Sequence, residues 1–200
     1  MKLALAVAAF LILTGAAEAQ TQTGPAPKIQ SVEGVVATIT PAEVTLAEPG
    51  GAARTIKLQP DWTVIVSKPI AVSDIKPGSY LGATNHAKPD GTGVSVEVHV
   101  LPQKGPGLDF LMDAQAGTTM TNGVVGQVTK SEGGDVLEID YGSGVRKVTV
   151  PPGTPVVLNT PSSDRSLVKP GLKVRVSTFT PPGGPTRQII AVGENGIPVP

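Results

Sequence analysis

The residues of this sequence that could do acid, base or metal chemistry are few and widely spaced. Its two histidines are His86, which lies just before the turn signal Asp90-Gly91, and His99, which stands between two valines of a strand-like run. Valines at alternate positions place His99 and Glu97 on the opposite face of that strand. We therefore expect His99 to be solvated or bridging. A weak metal site built from the two histidines and nearby carboxylates is the alternative.

Motifs for nucleophilic catalysis and phosphate binding are absent from the sequence. There is no Cys and no Gly-x-Ser-x-Gly motif, so no activated thiol or serine is indicated. The glycine-rich stretch Gly142 to Lys147 lacks the glycine spacing of a phosphate loop and joins two predicted strands. The sequence therefore indicates no catalytic residue, no metal ligand set and no cofactor.

One pair of carboxylates and one aromatic side chain could act on sugars. Glu138 and Asp140 alternate with apolar residues and so share one face of a predicted strand, as the two acids of a glycoside hydrolase must share a site. Trp62 is the only tryptophan; it could stack on a sugar or contact a partner, or it could close one end of its barrel or pack against the neighbouring module. An envelope-sugar hydrolase is thus an alternative function, although the carboxylate pattern is also that of an ordinary solvated sheet face.

The elements that must position these residues are predicted to be short β-strands. The 200 residues include 24 Gly and 20 Pro, which favour turns over long helices, and 40% are hydrophobic. Aromatic residues make up only 3%, so Val, Ile and Leu must form the cores. We predict an all-β fold.

A repeated phrase organises the chain. Ser73-Asp74-Ile75-Lys76-Pro77-Gly78 returns as Ser166-Leu167-Val168-Lys169-Pro170-Gly171, and the strand-like runs around each copy also match. Six short strands in a flat sheet would leave one face in water, whereas a closed barrel hides one face of every strand. The repeat therefore predicts two tandem six-stranded barrels, at residues 31–101 and 122–200, with the Lys-Pro-Gly phrase as a structural corner.

The connector at 102–121 is the part of the chain that is not repeated. It is too long for a minimal connection and too apolar in its middle for a solvated linker. We expect its apolar residues to dock on the barrels, or to contact a ligand or partner, as Trp62 could: Leu108, Phe110, Leu111 and Met112.

The N-terminus has the features of a secretory signal peptide. A basic start at Lys2, an apolar run from Leu3 to Leu13 and the small-x-small sequence Ala17-Glu18-Ala19 predict cleavage after residue 19, with a flexible lead at 20–30. We expect no membrane span after this cleavage, and hence a periplasmic protein. With 16 basic and 16 acidic residues and no basic cluster, the chain has no footprint for nucleic acid.

Several short segments carry a resemblance to a bacterial family. Val98-His99-Val100-Leu101-Pro102, Thr119-Met120-Thr121-Asn122 and Val192-Gly193-Glu194-Asn195-Gly196 resemble a two-module exported family of proteobacteria with OB-like small barrels. That family has no established activity, and the label of metal-transporter permease sometimes attached to its members implies membrane spans that this sequence lacks. Its members carry Arg-Gly and Trp-Asp in the connector, where this chain has Lys104-Gly105 and Met112-Asp113.

Together these features predict an exported, non-catalytic binding or scaffolding protein of the cell envelope. Its partner would be an envelope protein or a polysaccharide. The ligand itself is not indicated by the sequence.

Overall fold

The computed structural model describes residues 28–113, 116–181 and 183–194. The strands are β1 (Lys28–Ile39), β2 (Glu43–Ala47), β3 (Ala53–Lys57), β4 (Thr63–Pro69), β5 (Tyr80–Ala87), β6 (Gly93–Leu101), β7 (Leu108–Asp113), β8 (Thr118–Ser131), β9 (Gly134–Asp140), β10 (Val145–Val150), β11 (Val156–Ser162), β12 (Lys173–Thr180) and β13 (Arg187–Gly193). Two short 3₁₀ turns, Val72–Asp74 and Arg165–Leu167, complete the described elements. The prediction of an all-β fold is confirmed.

The two repeats are visible as two sets of six strands, and each set is divided between two halves of the molecule. The first half consists of β1 to β4 with β12 and β13, joined through the pairs β1–β12 and β4–β13. The second half consists of β8 to β11 with β5 and β6, joined through the pairs β8–β5 and β11–β6. Each half therefore combines four strands of one repeat with two of the other. The observed pairing does not match the predicted arrangement of one barrel within 31–101 and another within 122–200.

The repeated Lys-Pro-Gly phrase marks the place where the chain crosses between the halves. Gly78 donates its N–H to Val125 O of β8 at 2.7 Å, and Gly171 donates to Val36 O of β1 at 2.8 Å. Both glycines have φ near +90°, at 89° and 87°, which favours glycine over other residues. The phrase is thus a structural corner that bonds each repeat to the first strand of the other.

Two apolar cores confirm the exchange. The first contains Val36, Leu46 and Trp62 from the first repeat and Val174 and Ile190 from the second. The second core likewise mixes the repeats, and its members are Ile75, Leu81, Ala83, Val98, Val125, Leu137, Ile139, Val148, Val150 and Val156. Alternating Val, Ile and Leu on each strand supply these cores, because side chains two apart share a face.

Five strands of the second half close into a barrel, and the first half is left open at the corresponding place. β10 pairs with β6 in parallel at Val148↔Gly93, which closes the ring β5, β6, β8, β9 and β10. The residue equivalent to Gly93 in the second repeat is Pro185, which lies just before β13. Because proline has no backbone N–H, it cannot donate a hydrogen bond of the kind that pairs β6 with β10. The side chain of Gln188 bridges the gap instead, accepting from Gln59 N at 2.6 Å and donating to Lys57 O at 3.0 Å.

The connector is docked on the second half through residues that the structure describes. Its residues Leu108–Asp113 form β7, an added strand on β8. Asp109 accepts two hydrogen bonds from Arg146 of β10, at 2.6 and 3.0 Å, and Tyr80 donates to Pro106 O at 2.7 Å. These contacts fix the connector on the closed barrel.

Some predicted segments lie wholly or partly outside the described residues. The proposed signal peptide, 1–19, is outside them, as are residues 20–27 of the lead. Lys28 to Gln30 belong to β1, where they pair with Thr178 to Thr180 of β12, so the lead ends earlier than residue 30. Within the described ranges no helix is long and apolar enough to cross a membrane.

Candidate functional site

A groove crosses the outer face of the three strands at the centre of the sheet, β11, β4 and β13. Alternate residues of these strands point to the same side, and they form its floor: Thr63, Ile65 and Ser67 of β4, Arg187, Ile189 and Ala191 of β13, and Asn159 and Pro161 of β11. Two cavities, of about 390 and 590 Å³, share Ile65 and Ile189. They are consecutive parts of one groove.

The walls of the groove come from the two halves of the molecule. On one side stand β5, β6, β7 and β8, which contribute Thr84, Glu97, His99, Met112 and Met120. On the other side stand β1 and β12, which contribute Ile29, Ser31, Glu33, Arg175 and Ser177. Because the sheet curves, strands that are far apart in its order face each other across the floor.

An ion-pair cluster joins these walls. Arg175 of β12 donates through Nη1 to the Glu97 carboxylate of β6 at 2.9 and 3.2 Å, and through Nε and Nη2 to Glu33 Oε1 of β1 at 3.0 and 2.8 Å. The Arg175 side chain is 21% exposed and that of Glu97 only 14%. Lys173 reaches Glu33 from the rim at 3.4 Å. The bridge ties the halves together at the polar end of the groove.

The charges of the cluster act on the pKa of each carboxyl. Burial by itself would raise the pKa of Glu97, but the hydrogen bond and charge of His99, with Arg175, hold that pKa below its usual 4.5. Burial also opposes ionisation of Glu33, and Arg175 and Lys173 lower its pKa in the same way. The pKa of Arg175 is raised: burial lowers it, and the two glutamates outweigh that effect. Both glutamates are therefore carboxylates at neutral pH.

His99 connects this cluster to the floor. Its Nε2 contacts Glu97 Oε1, and its Nδ1 accepts a hydrogen bond from Asn159 Nδ2 at 2.9 Å. Asn159 Oδ1 in turn accepts from the Ser67 hydroxyl at 2.7 Å. Ser67 and Asn159 are equivalent positions of the two repeats, and they stand directly opposite each other in the β4–β11 pair. The groove therefore lies across the pseudo-twofold axis.

The repeats differ in side chains at the groove. In β12, Arg175 pairs with Glu33 on one side and Ala191 on the other. At the same register of β5, Gly82 pairs with Asn122 and His99. A Cβ on Gly82 would lie 2.5 Å from Asn122 Oδ1, so this wall has no room for a side chain there unless Asn122 moves. The polar cluster is thus present in a single copy.

No protein-family model, curated protein or solved structure matches the chain. The family resemblance seen in the sequence therefore remains a hypothesis. The groove and its residues must be interpreted from their own geometry.

Trp62 does not lie in the groove. It is 2% exposed in the first core, with the guanidinium of Arg165 4.5 Å above its ring. Arg165 also donates to Trp62 O at 2.7 Å and to Pro60 O at 2.8 Å, which holds the guanidinium in place. A side chain covered in this way has no surface for a ligand. Of the two roles predicted for Trp62, packing and contact with a ligand or partner, we therefore assign packing.

The four connector residues have different surroundings. Met112 lines the groove beside Met120, whereas Leu108 and Phe110 are half-buried on β7. Leu111 is 56% exposed and points to solvent. Of the connector residues predicted to contact a ligand or partner, Met112 is the one that reaches the groove.

The residues of the hydrolase and metal alternatives are not brought together. Glu138 pairs with Lys147 at 3.6 Å on the outside of the closed barrel, and Asp140 accepts from Gly142 N within its own turn. Trp62 belongs to the other core. His86 is exposed and contacts Gly117 O, while Asp90 caps its own turn through Thr92. No group of three His, Asp or Glu suited to a metal occurs among the described residues.

The sequence placed His99 and Glu97 on the same strand face and left His99 as solvated or bridging, and it gave no indication of Glu33, Ser67, Asn159 and Arg175. The available signal was the repeat itself. Aligning the strands that follow the two Lys-Pro-Gly phrases sets Arg175 against Gly82, a change from the smallest residue to one of the largest. A difference of this size between equivalent residues on the polar face of a strand indicates that the two repeats have different roles at that position.

Proposed function

We propose that the protein is an exported, non-catalytic binding protein of the cell envelope that holds an extended, largely apolar segment of a partner protein in this groove. The single observation that carries the proposal is the continuous floor shared by the two cavities, with isoleucines at its centre and polar groups at its ends. Export is supported by the signal-like N-terminus, with its apolar run from Leu3 to Leu13.

The dimensions and chemistry of the floor favour a peptide. From Thr63 to Ser67 the floor strand rises about 13 Å, at about 3.3 Å per residue, which is the length of an extended segment of a few residues. Ile65, Ile189 and Ala191 offer apolar contact along this length, and the ion pairs at one end are satisfied by one another. Alternate side chains of an extended guest would face this floor.

A protein segment fits better than a polysaccharide. Sugar-binding grooves commonly stack the sugar on Trp, Tyr or Phe side chains, and none of these three residue types lines either cavity. The sole tryptophan is in the core. The aliphatic and methionine side chains of the floor and walls suit the irregular apolar side chains of a peptide.

Selection from a library of random peptides tests the proposal. A phage-displayed heptapeptide library is selected on residues 20–200, and the enriched peptides are measured by fluorescence anisotropy. We expect peptides with apolar residues at alternate positions. Ile189→Lys, which places a charge on the floor, should weaken their binding at least tenfold.

Val145→Lys is the matched control, because Val145 is 54% exposed on β10 and does not line the groove. Peptides that bind Ile189→Lys as tightly as the wild type would contradict the proposed site. Failure to enrich any apolar peptide would contradict the proposed ligand. Circular dichroism confirms in each case that the variant is folded.

A further inference from the structure

The hydrogen bonds at the pseudo-twofold axis form an ordered chain from a titratable group to the floor of the groove. His99 Nδ1 accepts from Asn159 Nδ2, which leaves Nε2 to carry the proton that faces Glu97. Asn159 Oδ1 accepts from the hydroxyl of Ser67. In this arrangement the hydroxyl hydrogen of Ser67 is used within the protein, and its oxygen lone pairs remain.

Adding a proton to His99 requires the hydrogen bonds between His99 and Asn159 and between Asn159 and Ser67 to change direction. An imidazolium has a hydrogen on both ring nitrogens, so Nδ1 becomes a donor and can no longer face the Asn159 NH₂ group. Rotation of the Asn159 carboxamide by about 180° solves the conflict, because its oxygen and nitrogen occupy nearly the same volume. Asn159 Oδ1 then accepts from Nδ1–H, and Nδ2 donates to Ser67. The hydroxyl hydrogen of Ser67 is released.

We propose that the protonation state of His99 is relayed through the Asn159 carboxamide to Ser67, so that Ser67 offers the groove an acceptor when His99 is neutral and a donor when it is charged. Ser67 is 2% exposed, so only an atom that reaches the floor meets it. As a statement about ligand recognition the inference rests on the proposed function. The relay itself is a property of the ligand-free protein.

The charged groups around His99 allow both states. On its own strand, Glu97 faces Nε2, and its carboxylate forms a charge-assisted hydrogen bond with an imidazolium. Arg175 of β12 reaches His99 only through Glu97, and Glu33 of β1 and the rim residue Lys173 lie beyond Arg175. β11 contributes the neutral Asn159, and β5 contributes Gly82 at the paired position. The proton that His99 gains on Nδ1 comes from solvent, and no neighbouring group has to change its own protonation state.

Nuclear magnetic resonance of the ligand-free protein tests the relay. The ring nitrogens of both histidines and the Cβ of Ser67 are followed as the pH is lowered from about 8 to about 5. At high pH we expect the Nε2–H tautomer of His99, with the Asn159 amide protons close to its ring. At low pH those protons should approach Ser67, and the Ser67 Cβ shift should change at the same midpoint as His99. His86, which is exposed, is the internal reference.

Two variants separate a relay from a simple charge effect. In Asn159→Ala and in His99→Gln the Ser67 Cβ shift should no longer titrate in this range. The proposal is overturned by an Nδ1–H tautomer at high pH, by a Ser67 shift that does not follow His99, or by one that still titrates in either variant. Peptide binding is measured separately. Its failure would refute the proposed function and leave the relay standing, whereas a failed relay would leave the groove as a pH-independent site.

Discussion

Replacing Arg175 by methionine should show how strongly the ion-pair cluster holds the two halves together. The substitution keeps the length of the aliphatic stem and removes four hydrogen bonds, two to Glu97 and two to Glu33. Exposed pairs contribute about 0.2–1 kcal/mol, and removing one partner of a buried pair costs about 3–5 kcal/mol. Since the Arg175 and Glu97 side chains are 21% and 14% exposed, we expect a loss of about 2–4 kcal/mol in the free energy of unfolding.

A double-mutant cycle isolates the pair. Glu97→Gln removes the charge and keeps an acceptor, so alone it should cost about 1–2 kcal/mol. After Arg175→Met the same change should cost less, with a coupling energy of about 1–2 kcal/mol between the two sites. Urea unfolding at pH 7 provides the measurement. The matched control is the exposed Lys147–Glu138 pair, 3.6 Å apart, whose coupling should stay below about 0.5 kcal/mol.

The pH dependence gives an independent check of the same pair. The folded-state pKa of Glu97 is lowered from 4.5, so its contribution to stability is fully present above pH 4.5 and is lost as the pH falls through the lower, folded value. Glu97→Gln should therefore flatten the acid limb of the stability curve. The reasoning is refuted if coupling to Arg175 is within about 0.3 kcal/mol of zero and the acid limb of Glu97→Gln matches that of the wild type.

Three further changes test the fold that positions the groove. Gln188→Leu removes both hydrogen bonds that bridge the open half and should cost about 1–3 kcal/mol in urea unfolding, whereas Val96→Leu at the equivalent, 40% exposed position should change stability by less than about 0.5 kcal/mol. Asp109→Asn removes the charge and one of the two oxygens that accept from Arg146, and it should speed amide exchange more in β7 than in any other strand; equal exchange in both proteins would contradict the docking. A fragment of residues 28–103 has lost the strands that complete both of its cores, so in sedimentation it should be unfolded or self-associated, and a folded monomer would contradict the exchange.

The strands and the corner of each repeat could be predicted because they follow from local rules. Alternation of Val, Ile and Leu identified most strands, and the Lys-Pro-Gly phrase was correctly interpreted as a corner. Beside this corner, the carboxylate of Asp74, the last residue of the 3₁₀ turn Val72–Asp74, accepts a hydrogen bond from Ala71 N at 3.0 Å. These features depend on residues close together in the chain, where backbone geometry leaves few choices.

The exchange of strands could not be predicted, because equivalent strands of the two repeats carry the same apolar pattern. One pair of positions illustrates the difficulty: Leu81 of β5 and Val174 of β12 are equivalent, and either could fill either core. Pairing within a repeat and pairing between repeats bury the same kinds of side chain. The choice is made by the path of the chain after Gly78 and Gly171, which local patterns do not report.

The groove could not be predicted from the sequence for a related reason. The residues of its ion-pair cluster occupy the polar faces of strands, where a sequence pattern indicates contact with water. Glu33 and Arg175 are 142 residues apart in the chain, and they meet only because β1 and β12 are neighbours across the exchange. His99 was expected to be either solvated or bridging, and its contact with Glu97 on the same strand corresponds to the second of these alternatives. Its second partner, Asn159, comes from a strand of the other repeat.

The position of the groove on the pseudo-twofold axis explains why its side chains break the repeat. Equivalent residues face each other across such an axis, as Ser67 and Asn159 do. Arginine at both of the equivalent positions 82 and 175 would bring two guanidinium groups toward the same space, where they would repel each other and compete for Glu97. A large residue on one wall and glycine on the other leaves one cation between two carboxylates and keeps the apolar floor open. Asymmetry is thus the condition under which two copies of one module can enclose a single site.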